Sequence, residues 1–411
     1  VSFLTFLDYV IVVVPSIFLT SRISESLIYS AVIICALYAF RLYDYTENLI
    51  NSLTRSLFGV AFGSIFLFVI CKLFRSSFFS IKVFFMFLAL VFVFPIVNYA
   101  LCKLVSKNIK TIRYLVIGRE DELSKVLKEI EEKSNKRYRF VEYMNPSPVV
   151  LRQKISHYDR LLIADPQLEK SIEEELINIK QNHKVEYLPN LAERVLKRIP
   201  IEVVEKFEDY YKVCFDNIKE SPAKRILDVV LALVGLILYS PFILLSSFFI
   251  LLEDGRPVVF KQLRVGKDKK EYLMLKLRSM KEQLRETVKF ADDENHRILK
   301  IGRIIRATRI DESLQFINVL KGDMSIVGPR PEQVPFSRFF EDAIPCYSLR
   351  YKVKPGITGW AQICYKYSST VEETRVKLSY DLYYVKNRNI LLDFKILLLT
   401  LETIIFGKGA K

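Results

Sequence analysis

The stretch "SPAKRILDVVLALVGLILYSPFILLSSFFILLEDGRP", residues 221–257, decides how this chain meets its surroundings. Between Ile226 and Leu252 only Asp228 carries a charge, which makes a helix of about 226–252 long enough for a bilayer core of about 30 Å. Ser240-Pro241 falls at its centre. Proline there removes a ladder hydrogen bond, and its ring presses on the preceding turn, so the helix kinks. The flanks carry a second clue: Lys219, Lys224 and Arg225 precede the run, and Arg256, Lys261, Arg264 and Lys267 follow it. Basic residues gather on the cytoplasmic side of membrane segments. A helix that enters, bends at Ser240-Pro241 and leaves on the same side meets both clues. An ordinary kinked span is the alternative.

Upstream, residues 1–105 hold four long apolar stretches, near 3–19, 27–40, 57–74 and 83–104. They read as a bundle of four transmembrane helices, the second extended through Leu42 and Tyr43 to reach the required length. Lys103, Lys107, Lys110 and Arg113 follow the fourth and place the next domain in the cytoplasm, although Lys72, Arg75 and Lys82 oppose that orientation. Composition agrees: of 411 residues 51% are hydrophobic and 13% aromatic, yet the formal charge is +15. Membrane proteins with basic cytoplasmic faces combine the two; the long apolar runs argue against nucleic acid as the partner of that charge. Six cysteines without a C-x-x-C pair, and three histidines in no ligand spacing, fit a reducing compartment and leave acid–base work to carboxylates. No cleavable signal peptide is legible after Val1, and the natural N-terminus is left open.

Residues 112–200 read as a small α/β unit: a buried strand "IRYLVIG", a charged helix over 121–133 and a second strand "YDRLLIADP". Gly118 at the first strand's end invites a dinucleotide. However, "GREDE" supplies one glycine where the G-x-G-x-x-G turn needs three, and its carboxylates would repel a pyrophosphate. The expectation is a degenerate Rossmann-like domain without NAD, followed by an amphipathic connector over 201–220.

Beyond the central helix, "PVVFKQLRVGKDKKEYLMLKLRSM" reads as a hairpin whose outgoing strand brings Lys276 and Arg278 to one face. A helix-like segment over 298–309 sets Arg303, Arg306 and Arg309 to one side. "RIDESLQ", residues 309–315, then places Asp311 and Glu312 side by side, with Arg330 downstream in "VGPRPE". Guanidinium forks match phosphate oxygens, and Pro329 and Pro331 hold Arg330 in place. One carboxylate of such a pair suits a nucleophile or a Mg²⁺ or Mn²⁺ ligand, the cation screening an incoming diphosphate. A salt-bridged helix end before a tight turn is the plain alternative. The closing run "NILLDFKILLLTLETIIFG" fits either a core helix or an interfacial one.

Residues 221–411 resemble the bacterial polyprenyl-phosphate phosphoglycosyltransferases, the monotopic sugar transferases of surface-polysaccharide synthesis. The stretches that carry the resemblance are "SPAKRILDVVLALVGLILYSPF", "GRPVVFKQLRVG", "LKLRSM", "RIDESLQFINVLKGDMSIVGPRPE" and "KPGITGWAQI". Four spans and a degenerate Rossmann-like domain in front look like the long form of that family. The resemblance implies an α+β catalytic domain with a re-entrant helix broken at Ser240-Pro241, in a cell membrane with its active site on the cytoplasmic face. It implies an Asp311–Glu312 dyad, the aspartate being nucleophile and metal contact. Arg306 matches a phosphate-holding arginine, and Pro329-Arg330-Pro331 a turn near the nucleotide. The implied substrates are a UDP-sugar and polyprenyl (undecaprenyl) phosphate; a homodimer is left open. One departure is visible: the family usually has Asp-Glu-Leu-Pro-Gln, and Ser313 and Leu314 stand here for Leu and Pro. Two other readings compete. A membrane nucleotide-sugar dehydratase would use a Tyr-x-x-x-Lys, a spacing that Tyr272 and Lys276 share, and a non-catalytic scaffold would need no site at all.

Overall fold

A computed structural model describes residues 2–20, 23–39, 49–73, 81–107, 110–144, 147–281, 298–365 and 370–405. Two units divide the chain: Val1–Tyr114 with Lys128–Val141, and Leu115–Leu127 with Glu142–Lys411.

In the first unit, α1 (Ser2–Thr20), α2 (Ile23–Ala39), α3 (Leu49–Leu73) and α4 (Ile81–Lys107) fall on the four apolar stretches. Val12, Ile33, Leu37, Val60, Leu67 and Phe94 pack inside, while Phe18, Ile65, Phe85 and Phe92 are exposed. Helices apolar on both faces suit a lipid surrounding. Asn98 Nδ2 donates to Asp8 Oδ2 across the buried interior at 2.8 Å. The apolar segments described here, Phe6–Phe18, Ser26–Leu37, Arg55–Phe68 and Leu88–Ala100, are each shorter than a full span. Leu42, Tyr43 and Arg75, and the side chains of Lys103 and Lys107, lie outside the described residues. Among the described residues one helix, Pro222–Asp254, is long and apolar enough to cross a membrane.

Next, β1 (Ile112–Ile117), α5 (Glu120–Lys133), β2 (Tyr138–Met144), α6 (Pro148–Ile155), β3 (Arg160–Ile163), α7 (Pro166–Lys170), α8 (Glu173–Asn182) and β4 (Lys184–Tyr187) alternate strand with helix. The strand order is β2-β1-β3-β4, and β3 and β4 run parallel, as helical crossovers require. In open sheets of this kind ligands enter beyond the carboxyl ends of the strands, where the order reverses. Here Lys206 pairs with Glu122 after β1 and with Asp165 after β3, the latter at 3.2 Å. Gly118 is closely packed, since a Cβ on it would stand 3.1 Å from Ala164 Cβ. Two carboxylates and the lysine they share therefore stand at the carboxyl ends of β1 and β3. The expected result is no saturable thermal shift with NAD(H) or NADP(H); saturation at micromolar cofactor would contradict it.

Helices α9 (Leu188–Leu196), α10 (Ile201–Lys206) and α11 (Glu208–Asp216) lead to α12 (Pro222–Asp254). Its buried residues, Asp228, Ala232, Gly235, Ser246 and Ile250, form one stripe, whereas Leu233, Ile237, Leu244, Phe248 and Leu252 are exposed. Pro241 has no N–H to offer the Ile237 carbonyl four residues back; the Ser240 hydroxyl donates to it at 2.8 Å. The ladder therefore loses one bond at Ser240-Pro241 while the helix runs on as a single element.

Then come β5 (Val259–Val265), β6 (Glu271–Leu277), α13 (Lys300–Ala307), α14 (Gln315–Lys321), β7 (Ser325–Val327), α15 (Val334–Ala343), β8 (Gly356–Thr358), α16 (Trp360–Cys364), α17 (Val371–Asn387) and α18 (Ile390–Ile405). Strands β5 and β6 make the antiparallel hairpin, and β7 pairs β8 in parallel. A Cβ on Gly356 would lie 2.1 Å from Gly328 N, so "GPRP" and "KPGITGW" are two backbones in contact. Helix α18 buries Ile396 and Leu399 against Trp360 and Tyr384, with Leu391 and Phe394 exposed on its other side.

The stripe of α12 meets this domain along its whole length. Asp228 accepts from Ser325 Oγ and Ile326 N, both at 3.0 Å. A Cβ on Gly235 would reach the Phe316 ring, and Ile250 packs with Leu277, Leu299, Ile305 and Leu314. Glu253 accepts from Lys300 N and Ile301 N, capping the start of α13.

Candidate active site

Asp311 and Glu312 share one 3₁₀ turn, Ile310–Glu312, between α13 and α14, and Arg309 enters it in the left-handed region at φ 60°. Ser313 Oγ donates to Ile310 O at 2.6 Å, and Leu314 is buried beside Ile250 of α12. Thus a hydroxyl and a buried side chain hold this turn at Ser313 and Leu314.

The two carboxylates differ sharply. Lys276 Nζ donates to Glu312 Oε1 at 3.1 Å and Arg330 Nη2 donates to it at 2.7 Å. Burial opposes the charge on Glu312, but Arg330 and Lys276 outweigh it and hold the carboxyl far below its usual range. No hydrogen bond or ion pair among the described residues reaches the Asp311 carboxylate. Burial, then the charge of Glu312, pushes its pKa above the usual aspartate value, with Lys276, Arg306 and Arg309 pulling the other way. Arg306 Nη1 is buried without a hydrogen-bond partner. An unpaired carboxylate near an unpaired guanidinium nitrogen suits a group with an electrophilic centre and anionic oxygens, as in a phosphate.

Two devices hold the cations. The Asn318 side chain acts as a strand partner for β6, accepting from Leu275 N at 3.0 Å and donating to Leu273 O at 2.8 Å, which sets Lys276 against Glu312. The carbonyls of Pro329, Arg330 and Pro331 accept in turn from Gly356 N (2.9 Å), Arg350 Nη2 (2.8 Å) and Arg264 Nη1 (2.9 Å). Three bonded carbonyls in succession make the turn rigid. Burial lowers the Arg264 pKa to about 10.

Arg278 is not in this cluster. Strand β6 ends at Leu277, so the alternation that would align residue 278 with Lys276 stops one residue early. The Arg278 guanidinium instead caps α12, donating to Asp254 O at 3.0 Å and Gly255 O at 2.8 Å. Arg303 points to solvent. Tyr272 and Lys276 both lie on β6, where four residues span roughly 13 Å, too far for the joint proton transfer a dehydratase needs. Sequence reasoning missed Asn318 and Arg350, which stand in no motif of charge, and took Arg264 for a flanking charge. Among the described residues no group of three His, Cys, Asp or Glu side chains forms a ready metal site. Of the dyad, Asp311 has the carboxylate that no described residue bonds, which fits Mg²⁺ or Mn²⁺ only in the manner of ions held by one carboxylate together with substrate phosphates.

The family model described as bacterial sugar transferase matches residues 219–407. The UDP-glucose:undecaprenyl-phosphate glucose-1-phosphate transferase of Caulobacter vibrioides is 38% identical over 192 residues, 46% of this chain and 71% of the relative. The chain belongs to the bacterial sugar transferase family. Another member, the UDP-N-acetylgalactosamine-undecaprenyl-phosphate N-acetylgalactosaminephosphotransferase of Aeromonas hydrophila, is 43% identical over 189 residues, 46% of this chain and 45% of the relative. The glucose-1-phosphate transferase of Escherichia coli K12 is 41% identical over 190 residues, 46% of this chain and 41% of the relative. The chain thus spans less than half the length of these last two. The family match contains the dyad, Lys276, Arg306, Arg330 and every residue that holds them.

Proposed function

We propose that this family member transfers a sugar 1-phosphate from a UDP-sugar to a polyprenyl phosphate, undecaprenyl phosphate in bacteria, and releases UMP. The observation that carries this is the asymmetry of the dyad. Glu312 is tied to two cations, whereas Asp311 is unpaired next to Arg306 and Arg309. Asp311 is the nucleophile: an Oδ attacks the β-phosphorus of the donor, the bond to the UMP oxygen breaks, and a phosphosugar-aspartyl ester forms. The lipid phosphate oxygen then attacks that phosphorus and the Asp311–phosphorus bond breaks, restoring the carboxylate. Arg306 and Arg330 take up the phosphate charge. Asp311 would hold a Mg²⁺ or Mn²⁺, which would supply charge neutralisation for the diphosphate.

The packing of α12 supports a membrane placement for this reading. Polar anchors at both its ends, Asp228 on β7 and Glu253 on α13, belong to one domain, while the opposite face is bare hydrocarbon. A polar domain packed along the helix cannot follow it through a bilayer. In this reading the helix enters and leaves on the cytoplasmic face, where the UDP-sugar is met, and α1–α4 span the membrane. Single cysteines at Ala223 and Arg256, in a background without the six native ones, are expected to be equally shielded from an impermeant thiol reagent added outside cells. Labelling of one site alone would make α12 a spanning helix. The activity itself is tested by radiolabel transfer from a panel of UDP-sugars into the lipid extract; no labelled lipid from any donor would refute it.

A further inference from the structure

Arg350 lies behind the Pro-Arg-Pro turn. Its Nη2 donates to Arg330 O at 2.8 Å and to Asp381 Oδ2 at 2.9 Å, and its Nη1 to the Tyr347 hydroxyl at 2.6 Å. Glu332 Oε1 stands 3.9 Å from Nη1 and accepts from Lys377 Nζ at 2.8 Å. The Arg350 and Asp381 side chains are each 3% exposed. For stability alone such a cluster has little to recommend it, because apolar side chains of similar volume commonly do as well or better. Its members come from the turn itself, from residues 347–350 and from α17. They converge on the backbone of Arg330, the residue whose guanidinium holds Glu312.

We propose that Arg350 and Asp381 are positioning residues for the transfer site: they fix Arg330 through its own carbonyl, so that its guanidinium meets Glu312 and the donor phosphates without rearrangement. The inference rests on the transferase reading above. Neither side chain bonds the dyad; both act through Arg330. The planar fork of Arg350 serves Arg330 O, Asp381 and Tyr347 at once, which the single ammonium of a lysine cannot reproduce. Misplacement of a reacting group by about 1 Å can cost about 10²-fold in rate.

The test is a double-mutant cycle on UMP release, corrected for folded fraction. Arg350→Gln is expected to lower kcat/KM by about 10–100-fold, through kcat, with KM for the UDP-sugar moving less than about threefold. Arg350→Lys is expected to fall between that variant and the parent. In an Arg330→Gln background, Arg350→Gln is expected to cost less than about threefold, because the residue it acts through is gone. An equal loss in both backgrounds, or a loss below about twofold in the parent, would overturn the proposal. Asp381→Asn, which keeps shape and volume, stands in if Arg350→Gln does not fold. Amide exchange gives a second readout that needs no activity: residues 328–333 should exchange faster in Arg350→Gln and Asp381→Asn, with β3 unchanged. Unaltered exchange at 328–333 refutes positioning. A parent inert on every UDP-sugar refutes the transferase reading instead, and the exchange result then decides the positioning alone.

Discussion

Asp311→Asn is expected to lower turnover by about 10⁴-fold or more, because an amide oxygen is a far weaker nucleophile than a carboxylate. The substitution removes almost nothing structural, since no hydrogen bond or ion pair among the described residues depends on that carboxylate. Fold and donor binding should therefore survive. With UDP-sugar alone, the parent should release at most about one UMP per active site and stall, and Asp311→Asn should release none. With lipid added, initial rates at varied donor and acceptor should give parallel double-reciprocal lines. Activity in Asp311→Asn within about tenfold of the parent would rule out the covalent assignment. Intersecting lines, without UMP before the acceptor, would mean direct transfer with Glu312 as base. Glu312→Gln differs in kind: it leaves Lys276 and Arg330 facing a neutral amide, so its loss of activity should come with a looser site.

The second large effect is on stability. Lys224 Nζ donates to Asp393 Oδ2 at 2.8 Å and Val327 O at 3.2 Å, with Asp228 Oδ1 at 4.0 Å. Tyr384 donates its hydroxyl to Asp393 Oδ1 at 2.7 Å. This buried cluster clamps the start of α12 to β7 and α18. Lys224→Met leaves two buried carboxylates without their cation, a loss of about 3–5 kcal/mol. Thermal unfolding of the detergent-solubilised protein should fall by about 10 °C. Adding Asp393→Asn should restore more than half of it. An unchanged midpoint in Lys224→Met would mean that the clamp contributes nothing to the fold.

Those cations show where reading the chain alone falls short. Lys224, Arg225 and Arg264 look like charge flanking a membrane helix. In the fold Lys224 meets Asp393, Arg225 closes α14 through Val319 O and Leu320 O at 2.7 and 2.9 Å, and Arg264 holds the turn at Pro331. Charge counting treats a basic residue as free, and only packing reveals that it is engaged. Arg278 fails for a similar reason: strand alternation is a local rule, and nothing local marks its end at Leu277.

What the amino-acid order determines by itself is whatever depends on neighbours. The apolar length of α12 and the proline within it, the alternation of strand and helix over 112–200, the hairpin around Gly266 and the adjacency of Asp311 and Glu312 are all local properties. Periodicity and turn chemistry encode them directly. Which carboxylate attacks and which stays bound is not local. Glu312 is set apart by Lys276, 36 residues away, and Arg330, 18 residues away; Arg330 is itself held by Arg350, and its neighbour Pro331 by Arg264. Those pairings arise only when the hairpin, the Pro-Arg-Pro turn, the dyad turn and residues 347–350 are brought together. Burial then makes each charge–charge contact strong enough to divide two adjacent carboxyl groups into an anchored anion and an unpaired nucleophile.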